Sequence, residues 1–412
     1  MRVLLLPFPT KAHIFSMVPI GWALRAAGHE VRFVGQPNPS ETAAFLATGL
    51  ETTWVGDERD LAKMRRQRPN DPTNPVVSPY QISETREERY TPEYVNAVYD
   101  LWAGNFPFLA PRSMVTELVA YARQWQVDLV VWDPLMYAGP IAARAAGAVD
   151  VRMLFAMDQW AALTDRYLKL GRSRPDPLVD WLGEELARFD CAFDEESRFG
   201  RATLDTNPSC LRYPISNAIP VRYVPFNGRS VVPRWVLEPP TRPRVCLTLG
   251  VSNREVHGAE QASVAELLDG VAGLDAEIIA TFTPEQLASV PRVPDNVRVV
   301  DFVPLNDLLP SCSAIVHQGG GGTIGNSVVH GVPQLIIPGT TWAEELSARG
   351  FTERGAGLFI DINQLSASTL RAQLTRLLDE PSFQQAAREV QQEMLSTPSP
   401  SDVVTTLETL AG

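Results

Sequence analysis

The chain has 412 residues, of which 45% are hydrophobic and 20% are charged. That length and composition predict a globular protein of two or three domains, each able to bury a core. The formal net charge is −12, with only three lysines and no basic run, which excludes the basic surface that nucleic-acid binding needs.

The four cysteines, Cys191, Cys210, Cys246 and Cys312, are widely separated and fit neither a zinc site nor a disulfide framework. We therefore expect reduced thiols in a cytoplasmic protein. Prolines and Lys11 interrupt the apolar N-terminal run before it reaches the length of a signal peptide, and no uncharged apolar run approaches about 18 residues. The sequence thus predicts neither secretion nor a membrane span.

The first half of the chain has the element order of a parallel α/β sheet. Apolar runs at 3–6 and 30–34 predict strands, and between them the sequence predicts a loop over 7–15 and a helix over 17–27. This order builds parallel sheets with right-handed crossovers, whose ligands lie at the carboxyl ends of the strands. Further helices are predicted over 114–124 and 140–146, and further strands over 128–132 and 151–155.

Three segments of the chain lack this regular order. Residues 57–111 are polar and rich in proline, which indicates a long loop or a mobile segment with short helices. Residues 163–213 are charged and predict helices with loops, or else a solvated connector. Proline, glycine and arginine concentrate between 225 and 243, a composition typical of a linker.

The second half repeats the α/β order. Predicted strands cover 245–249, 277–281, 297–302, 314–316 and 334–337, and predicted helices cover 261–268, 323–329, 344–353, 367–378, 383–394 and 401–410. The sequence therefore predicts an α/β protein of two Rossmann-like parallel-sheet domains, residues 1–225 and 244–412. A linker over 226–243 would join them, and a cleft would lie between their facing strand ends.

Four consecutive glycines, Gly319 to Gly322, separate the predicted strand 314–316 from the predicted helix 323–329. Glycines let backbone N–H groups approach an anion, and the N-terminal end of a helix favours negative charge, so this order predicts a phosphate site. His317 would add a donor. A glycine run is also often only a tight turn, and no acidic residue follows the next strand, as the dinucleotide fingerprint would require.

His13 lies in the predicted loop after the first strand. Histidine accepts a proton near neutral pH, so this residue is a candidate general base for a hydroxyl nucleophile. The alternative is a partly buried histidine that caps the helix. Asp133 follows the strand 128–132 at the same sheet edge, where its carboxylate would orient the imidazole, although aspartate before proline is also a common turn residue.

Other catalytic motifs are missing from the sequence. No Asp-x-Asp pair and no cluster of histidine, cysteine and carboxylate residues has the spacing of a metal site. There is also no Gly-x-Ser-x-Gly elbow and no Walker lysine. We therefore expect no metal and no bound cofactor, and an anionic leaving group neutralised by a helix dipole, backbone groups and side-chain donors.

Taken together, these segments resemble the GT-B glycosyltransferases that decorate polyketide antibiotics, which are relatives of the UDP-sugar transferases. The resemblance covers essentially the whole chain. The resemblance rests on residues 1–34, 249–252 and 296–304, on the motif HQGGGGTIGNSVVHGVPQLIIP at 317–338, and on Gly-Ala-Gly at 355–357. It implies that a deoxysugar is transferred from a TDP-sugar, without a metal and with inversion, to a hydroxyl of a macrolide or anthracycline aglycone.

The resemblance also implies roles for single residues. His13 matches the catalytic base of the family, and Phe302 and Val303 match the segment beside the nucleobase. The positions that hold the nucleoside diphosphate are matched by Ser252, His317, Gly319, Gly320, Gly321, Gly322 and Thr323.

One segment departs from the pattern of the family. After Pro338 many relatives have Asp-Gln or Glu-Gln, whereas this chain has Ala343-Glu344. This difference suits a deoxysugar, or an aminosugar whose ammonium pairs with Glu344, and we expect donor specificity to depend on Trp342 to Glu345. Aromatic residues of the first half would either line an apolar acceptor cleft or belong to the core: Phe15, Trp102, Phe106, Phe155 and Trp160.

Some transferases of this kind need a cytochrome-P450-like helper protein without haem activity, so the resemblance raises the question of a helper here, and a homodimer is a second open question. Two other functions stay open: a nucleotide-sugar epimerase of the same fold, and a non-catalytic sugar-nucleotide-binding partner. Only an epimerase would isomerise the donor without an acceptor. His13 argues against the non-catalytic partner, whereas the altered Ala343-Glu344 pair favours it.

Overall fold

The computed structural model describes residues 1–67, 78–171, 174–250, 262–288 and 290–412. The chain forms two compact units. Unit 1 comprises Met1–Asn207, Arg212–Arg222 and Pro398–Gly412, and unit 2 comprises Pro208–Leu211 and Tyr223–Thr397. Each unit is built around one parallel sheet, so the predicted pair of parallel α/β domains is confirmed.

The strands of unit 1 are β1 (Arg2–Leu6), β2 (Glu30–Gly35), β3 (Glu51–Trp54), β4 (Leu129–Trp132), β5 (Val149–Met153), β6 (Ala202–Asp205) and β7 (Ala218–Pro220). They form a seven-stranded sheet in the order β3-β2-β1-β4-β5-β6-β7. The helices in this part of the chain are α1 (Lys11–Ala26), α2 (Thr42–Ala47), α3 (Leu61–Gln67), α4 (Pro92–Leu109), α5 (Arg112–Trp125), α6 (Ala138–Ala146), α7 (Gln159–Lys169), α8 (Pro177–Ala187) and α9 (Glu196–Phe199).

The two central strands, β1 and β4, are buried on both faces. Apart from Arg2, all their residues are fully buried. Near-continuous apolar strands of this kind are what a parallel sheet needs when helices cover both of its faces. Leu6 pairs with Trp132, so the two strands end at the same level. The strand order reverses between them, which is where open α/β sheets leave a crevice for a ligand.

The first helix begins earlier than the sequence predicted. α1 starts at Lys11, so the predicted loop over 7–15 is wrong from that residue onward. The N–H groups of His13 and Ile14 both donate to the carbonyl of Thr10, at 3.1 and 3.0 Å, and close the first turn. Pro19 lies inside the helix. His13 therefore belongs to a helix and not to a loop.

Regular structure also occurs in two segments that were predicted to be largely irregular. α4 occupies much of the predicted loop over 57–111; Thr91 caps it by accepting the N–H of Tyr94, and Pro92 is its first residue. β6 lies within the predicted connector over 163–213, and all four of its residues are buried. The sequence of β6 does not have the pattern of a buried strand, because it contains the polar Asp205. Inside the protein, the carboxylate of Asp205 accepts hydrogen bonds from the backbone and side-chain N–H groups of Asn207.

The strands of unit 2 are β8 (Arg244–Thr248), β9 (Glu277–Thr281), β10 (Val297–Val300), β11 (Ala314–His317), β12 (Gln334–Ile336) and β13 (Gly357–Phe359), in the order β10-β9-β8-β11-β12-β13. Among the described residues after β8, the structure shows the helices α10 (Val264–Val271), α11 (Pro284–Leu287), α12 (Leu305–Leu308), α13 (Gly321–Val329), α14 (Glu344–Glu353), α15 (Ala367–Asp379), α16 (Pro381–Ser396) and α17 (Pro400–Ala411). The strand order reverses between β8 and β11, and the glycine run follows β11.

Two segments belong to units other than those the sequence suggested. The segment 226–243, predicted as a linker, belongs to unit 2, where Val236 is buried in the core beside Ile279 and Ile315. α17, predicted with the C-terminal domain, belongs to unit 1. There it packs on α1, and a carboxylate oxygen of Glu408 lies 2.9 Å from Nε2 of His29.

The four cysteines are free thiols. Cys246 lies in the core of unit 2, where burial raises the pKa of its thiol well above the usual value, so it stays protonated. Within the described ranges, no helix is both long enough and apolar enough to cross a bilayer.

The close packing of α6 on β4 gives a first testable prediction. A Cβ on Gly139 would lie 2.5 Å from Cβ of Trp132, closer than two carbon atoms can approach. We expect Gly139→Ala to lower the free energy of unfolding by about 2 kcal/mol, because α6 must move away from β4, the strand that Asp133 follows.

The matched control is Gly104→Ala in α4, where an added Cβ meets nothing within 4 Å. This substitution should raise the stability by about 0.5 to 1 kcal/mol, since alanine is the better helix former. Urea unfolding of both variants checks the pair. Equal stabilities of the two variants would contradict the close packing of α6 on β4.

Candidate active site

The two central strands of unit 1 bring His13 and Asp133 together. Nδ1 of His13 lies 2.6 Å from Oδ2 of Asp133, and the two side chains are only 13% and 1% exposed. The carboxylate is itself fixed, since Oδ1 accepts the N–H of Leu135 at 3.0 Å. A carboxylate accepts hydrogen bonds, so we assign the donor role to Nδ1 of His13; in this tautomer the lone pair of the imidazole is on Nε2. This is the tautomer that a general base needs.

Aromatic rings hold the imidazole of His13. Its ring centroid lies 4.0 Å from that of Phe155 and 5.2 Å from that of Phe8. Phe155 was predicted as an acceptor-binding residue, whereas Phe8 was not singled out in the sequence. Its position directly after β1 was the available signal, because every residue at that carboxyl end lies close to the site.

The other predicted acceptor residues have different surroundings. Phe106 and Trp160 are fully buried and pack on each other, with ring centroids 5.0 Å apart, so the core alternative holds for both. Trp102 is only 6% exposed. Phe15 is partly exposed, and the ammonium of Lys11 lies 5.7 Å from its ring centroid.

In unit 2 the glycine run forms a turn that opens helix α13. Gly319 has a φ of +89°, a conformation that favours glycine, and Gly320 precedes the helix in an extended conformation. The N–H of Ile324 donates to the carbonyl of Gly320 at 3.0 Å. The N–H groups of Gly321, Gly322 and Thr323 therefore belong to the open end of the helix, where the helix dipole favours an anion.

His317 shapes this turn from inside the protein. Its Nε2 lies 2.9 Å from Oε1 of Gln334, and its Nδ1 accepts the N–H of Gly319 at 3.0 Å. Burial lowers the pKa of His317 to about 4, against a smaller opposite effect of the bond to Gln334. The ring is therefore neutral. The predicted bond from His317 to an anion would require one of these two hydrogen bonds to be replaced.

The segment that departs from the family pattern lies against the glycine turn. A Cβ on Gly319 would be 3.1 Å from Cβ of Glu344, which is the first residue of α14. The carboxylate of Glu344 accepts the N–H of Trp342 at 2.7 Å. Burial raises the pKa of Glu344, and the backbone N–H groups around the carboxylate oppose that shift. Trp342 itself is only 7% exposed.

The remaining predicted donor residues differ in exposure. Phe302 follows β10 and is 49% exposed. Val303 is buried in the core with Val236 and Leu308. Ser252 lies outside the described residues. Among the residues that the structure does describe, no three or more His, Cys, Asp or Glu side chains form a group that could hold a metal ion.

Comparison with known proteins identifies the family. Residues 22–250 match the N-terminal domain and residues 265–410 the C-terminal domain of proteins like erythromycin biosynthesis protein CIII. The chain is 42% identical over 426 residues to the aclacinomycin-T 2-deoxy-L-fucose transferase of Streptomyces galilaeus, covering 100% of this chain and 96% of that protein. It is 39% identical to the 10-deoxymethynolide desosaminyltransferase of Streptomyces venezuelae, covering 100% and 97%.

A solved structure agrees with these matches. The glycosyltransferase VinC in complex with dTDP superposes with a TM-score of 0.89 and 43% sequence identity, covering 100% of this chain and 99% of that one. The GT-B fold expected from the sequence is thereby confirmed. With matches along the whole chain, two parallel-sheet units and paired His13 and Asp133, the protein belongs to the family of glycosyltransferases that resemble erythromycin biosynthesis protein CIII.

Proposed function

We propose that the protein transfers a deoxysugar from a TDP-sugar to a hydroxyl of a polyketide aglycone. The observation that carries the proposal is the 2.6 Å contact between His13 and Asp133, which prepares a base for an acceptor hydroxyl. The names of the two relatives support the donor class, because both enzymes transfer deoxysugars. The dTDP bound to VinC supports the nucleotide.

In the proposed reaction, Nε2 of His13 takes the proton of the acceptor hydroxyl. The oxygen forms a bond to the anomeric carbon, and the bond between that carbon and the diphosphate oxygen breaks with its electron pair leaving on the diphosphate. One displacement inverts the configuration at the anomeric carbon. Asp133 keeps Nδ1 protonated and stabilises the imidazolium that forms.

The leaving diphosphate gains charge as the reaction proceeds, and the open end of α13 is suited to that charge. Backbone N–H groups that are already oriented stabilise a developing anion without reorganising. All three lysines lie in unit 1, so unit 2 offers no lysine for this purpose. We therefore propose that helix α13 and its glycine turn, rather than a metal ion, neutralise the leaving group.

The donor sugar is proposed to contact the segment from Trp342 to Glu345. Glu344 lies beside Gly319, and its carboxylate, which backbone N–H groups of this segment already bond, is proposed to exchange one of those hydrogen bonds for one from the sugar. That exchange suits a hydroxyl of a deoxysugar or the ammonium of an aminosugar. Phe302, beyond β10, is proposed to stack on the nucleobase.

A helper protein of the cytochrome-P450 type, a homodimer and a cytoplasmic location stay predictions from the sequence and its resemblance. Turnover with a panel of TDP-sugars and aglycones, measured with and without such a helper, tests the substrate class and the helper together. An isomerised nucleotide sugar formed without acceptor would instead support the epimerase.

Loss of the base should abolish transfer but not donor binding. We expect His13→Ala to lower kcat by about 10²- to 10⁴-fold, because no group then accepts the hydroxyl proton. Asp133→Asn should cause a loss of similar size, since an amide that donates to Nδ1 favours the wrong tautomer.

The control is His29→Ala, which removes another histidine of unit 1 and should change kcat less than about twofold, because the contacts of His29 are with the N-terminal amine of Met1 and with Glu408, not with His13 or Asp133. Steady-state kinetics and calorimetric titration with TDP check all three variants. Full activity of His13→Ala would refute the proposed base.

Metal removal provides a separate test. Because the leaving diphosphate is assigned to backbone N–H groups, we expect the initial rate of transfer to be unchanged by an excess of EDTA. The rate should also not rise when Mg²⁺ or Mn²⁺ is added. Inhibition by EDTA that either ion reverses would show that the donor needs a divalent cation.

The neutral state of His317 predicts a pH dependence of stability. The pKa falls from 6.5 to about 4 on folding, so between these values the unfolded chain holds a proton that the folded chain lacks. The contribution of His317 is therefore fully present above pH 6.5 and is lost as the pH falls toward 4. When the pH is lowered from 7 to 5, protonation of His317 in the unfolded chain should reduce the free energy of unfolding by about 2 kcal/mol.

In His317→Gln, a side chain that stays neutral replaces the titrating ring, so the decrease in the free energy of unfolding between these pH values should be smaller by that amount. Denaturant titrations at pH 5 and pH 7 measure it. An identical decrease in the wild type and the variant would contradict the assigned state of the ring.

A further inference from the structure

Two side chains donate hydrogen bonds to the carbonyl of Gly322. Nδ2 of Asn326 donates to it at 2.8 Å, and the hydroxyl of Tyr223 donates to it at 3.3 Å. The same amide nitrogen also donates to the Tyr223 oxygen at 3.3 Å, so the three groups form a closed set of hydrogen bonds. Burial raises the pKa of Tyr223, which keeps its hydroxyl protonated and able to donate.

The ring of Tyr223 packs against Gly325, where the absence of a side chain leaves room for it. A Cβ on Gly325 would lie 2.7 Å from three atoms of this ring. Glycine in the interior of a helix costs about 1 kcal/mol relative to alanine, so the close approach of the ring gives this glycine a structural reason. Asn326, the next residue, is only 2% exposed.

Further amides extend this support. Oδ1 of Asn326 accepts from Nδ2 of Asn227 at 3.3 Å, and Oδ1 of Asn227 accepts the N–H of Asn306 at 2.8 Å. Tyr223 and Asn227 lie on the segment where the chain enters unit 2 from unit 1. The first turn of α13 is thus braced by a segment remote from it in sequence.

The carbonyl of Gly322 and the N–H of Thr323 belong to the same rigid peptide unit. The peptide unit that joins Gly322 to Thr323 is planar and trans, so its carbonyl and the N–H of Thr323 point in opposite directions. That N–H is among those left at the open end of the helix. Gly321 and Gly322 have no Cβ to restrict this backbone, so the side-chain hydrogen bonds to the carbonyl add to the helical hydrogen bonds in fixing its direction.

We infer that Tyr223 and Asn326 are positioning residues for donor binding: by holding the Gly322 carbonyl they direct the Thr323 N–H at the diphosphate of the donor. This inference rests on the proposed function, since it needs a nucleoside diphosphate at the N-terminal end of α13. Neither side chain touches the diphosphate; both act through the backbone.

The experiment measures TDP binding by calorimetry in the full chain. Tyr223→Phe keeps the ring against Gly325 and removes only the hydroxyl. We expect the Kd for TDP to rise about 3- to 10-fold, the loss of one hydrogen bond. Asn326→Ala should raise the Kd for TDP at least as much. In steady-state kinetics, the KM for the TDP-sugar should rise and the KM for the acceptor should not.

The control for loss of a buried tyrosine hydroxyl is Tyr137→Phe in unit 1. That hydroxyl donates to the carbonyl of Arg198 at 2.9 Å and accepts the N–H of Trp160 at 2.8 Å. Tyr137→Phe should lower the melting temperature and leave the Kd for TDP unchanged. An equal weakening of TDP in this variant would show a general loosening of the protein and overturn the inference.

The remaining outcomes separate this inference from the proposed function. If the wild type binds TDP and Tyr223→Phe binds it equally well, the inference is wrong and the proposed function stands. If the wild type itself does not bind TDP, the proposed function fails, and the inference fails with it.

Discussion

The candidate base depends on the parallel pairing of β1 with β4. Because Leu6 pairs with Trp132, the two strands end at one level and the residues that follow them leave the sheet side by side. The N–H of Asp133 then donates to the carbonyl of Leu6 at 2.9 Å. A slip of one residue would turn the carboxylate to the other face of the sheet. The contact between His13 and Asp133 is thus fixed by backbone register and not by loop conformation.

Unit 2 has the same kind of sheet as unit 1, but its proposed ligand is an anion. The protein is acidic, and its C-terminal unit has no lysine, yet its family acts on nucleotide sugars. Backbone N–H groups at a helix end supply the positive potential without adding a titratable cation. The side chains that hydrogen-bond to the backbone of the turn are an amide, a tyrosine and an uncharged imidazole, so none of these three groups carries a charge.

The sequence predicted those parts of the fold that depend on local periodicity. Four strands of the first sheet, five strands of the second, the longer helices of unit 2, the glycine turn and the two members of the base were visible in apolar runs and spacing, whereas β3, β7 and β13 were not predicted. Contacts between distant residues were not. Tyr223 and Asn326 are 103 positions apart, and the ring of Phe8 reaches His13 only because a helix begins at Lys11. β6 was missed because its buried polar residues are satisfied by tertiary hydrogen bonds, which no local pattern contains.

The return of the last helix to unit 1 has a consequence for engineering new specificities. A chimera made with a single fusion point joins one N-terminal half to one C-terminal half. In this chain such a fusion would exchange α17 together with unit 2 and leave its foreign apolar face against α1. A faithful exchange needs two crossovers, one at Arg222 and Tyr223 and the other at Thr397 and Pro398, so that each unit keeps the helix against which its core evolved.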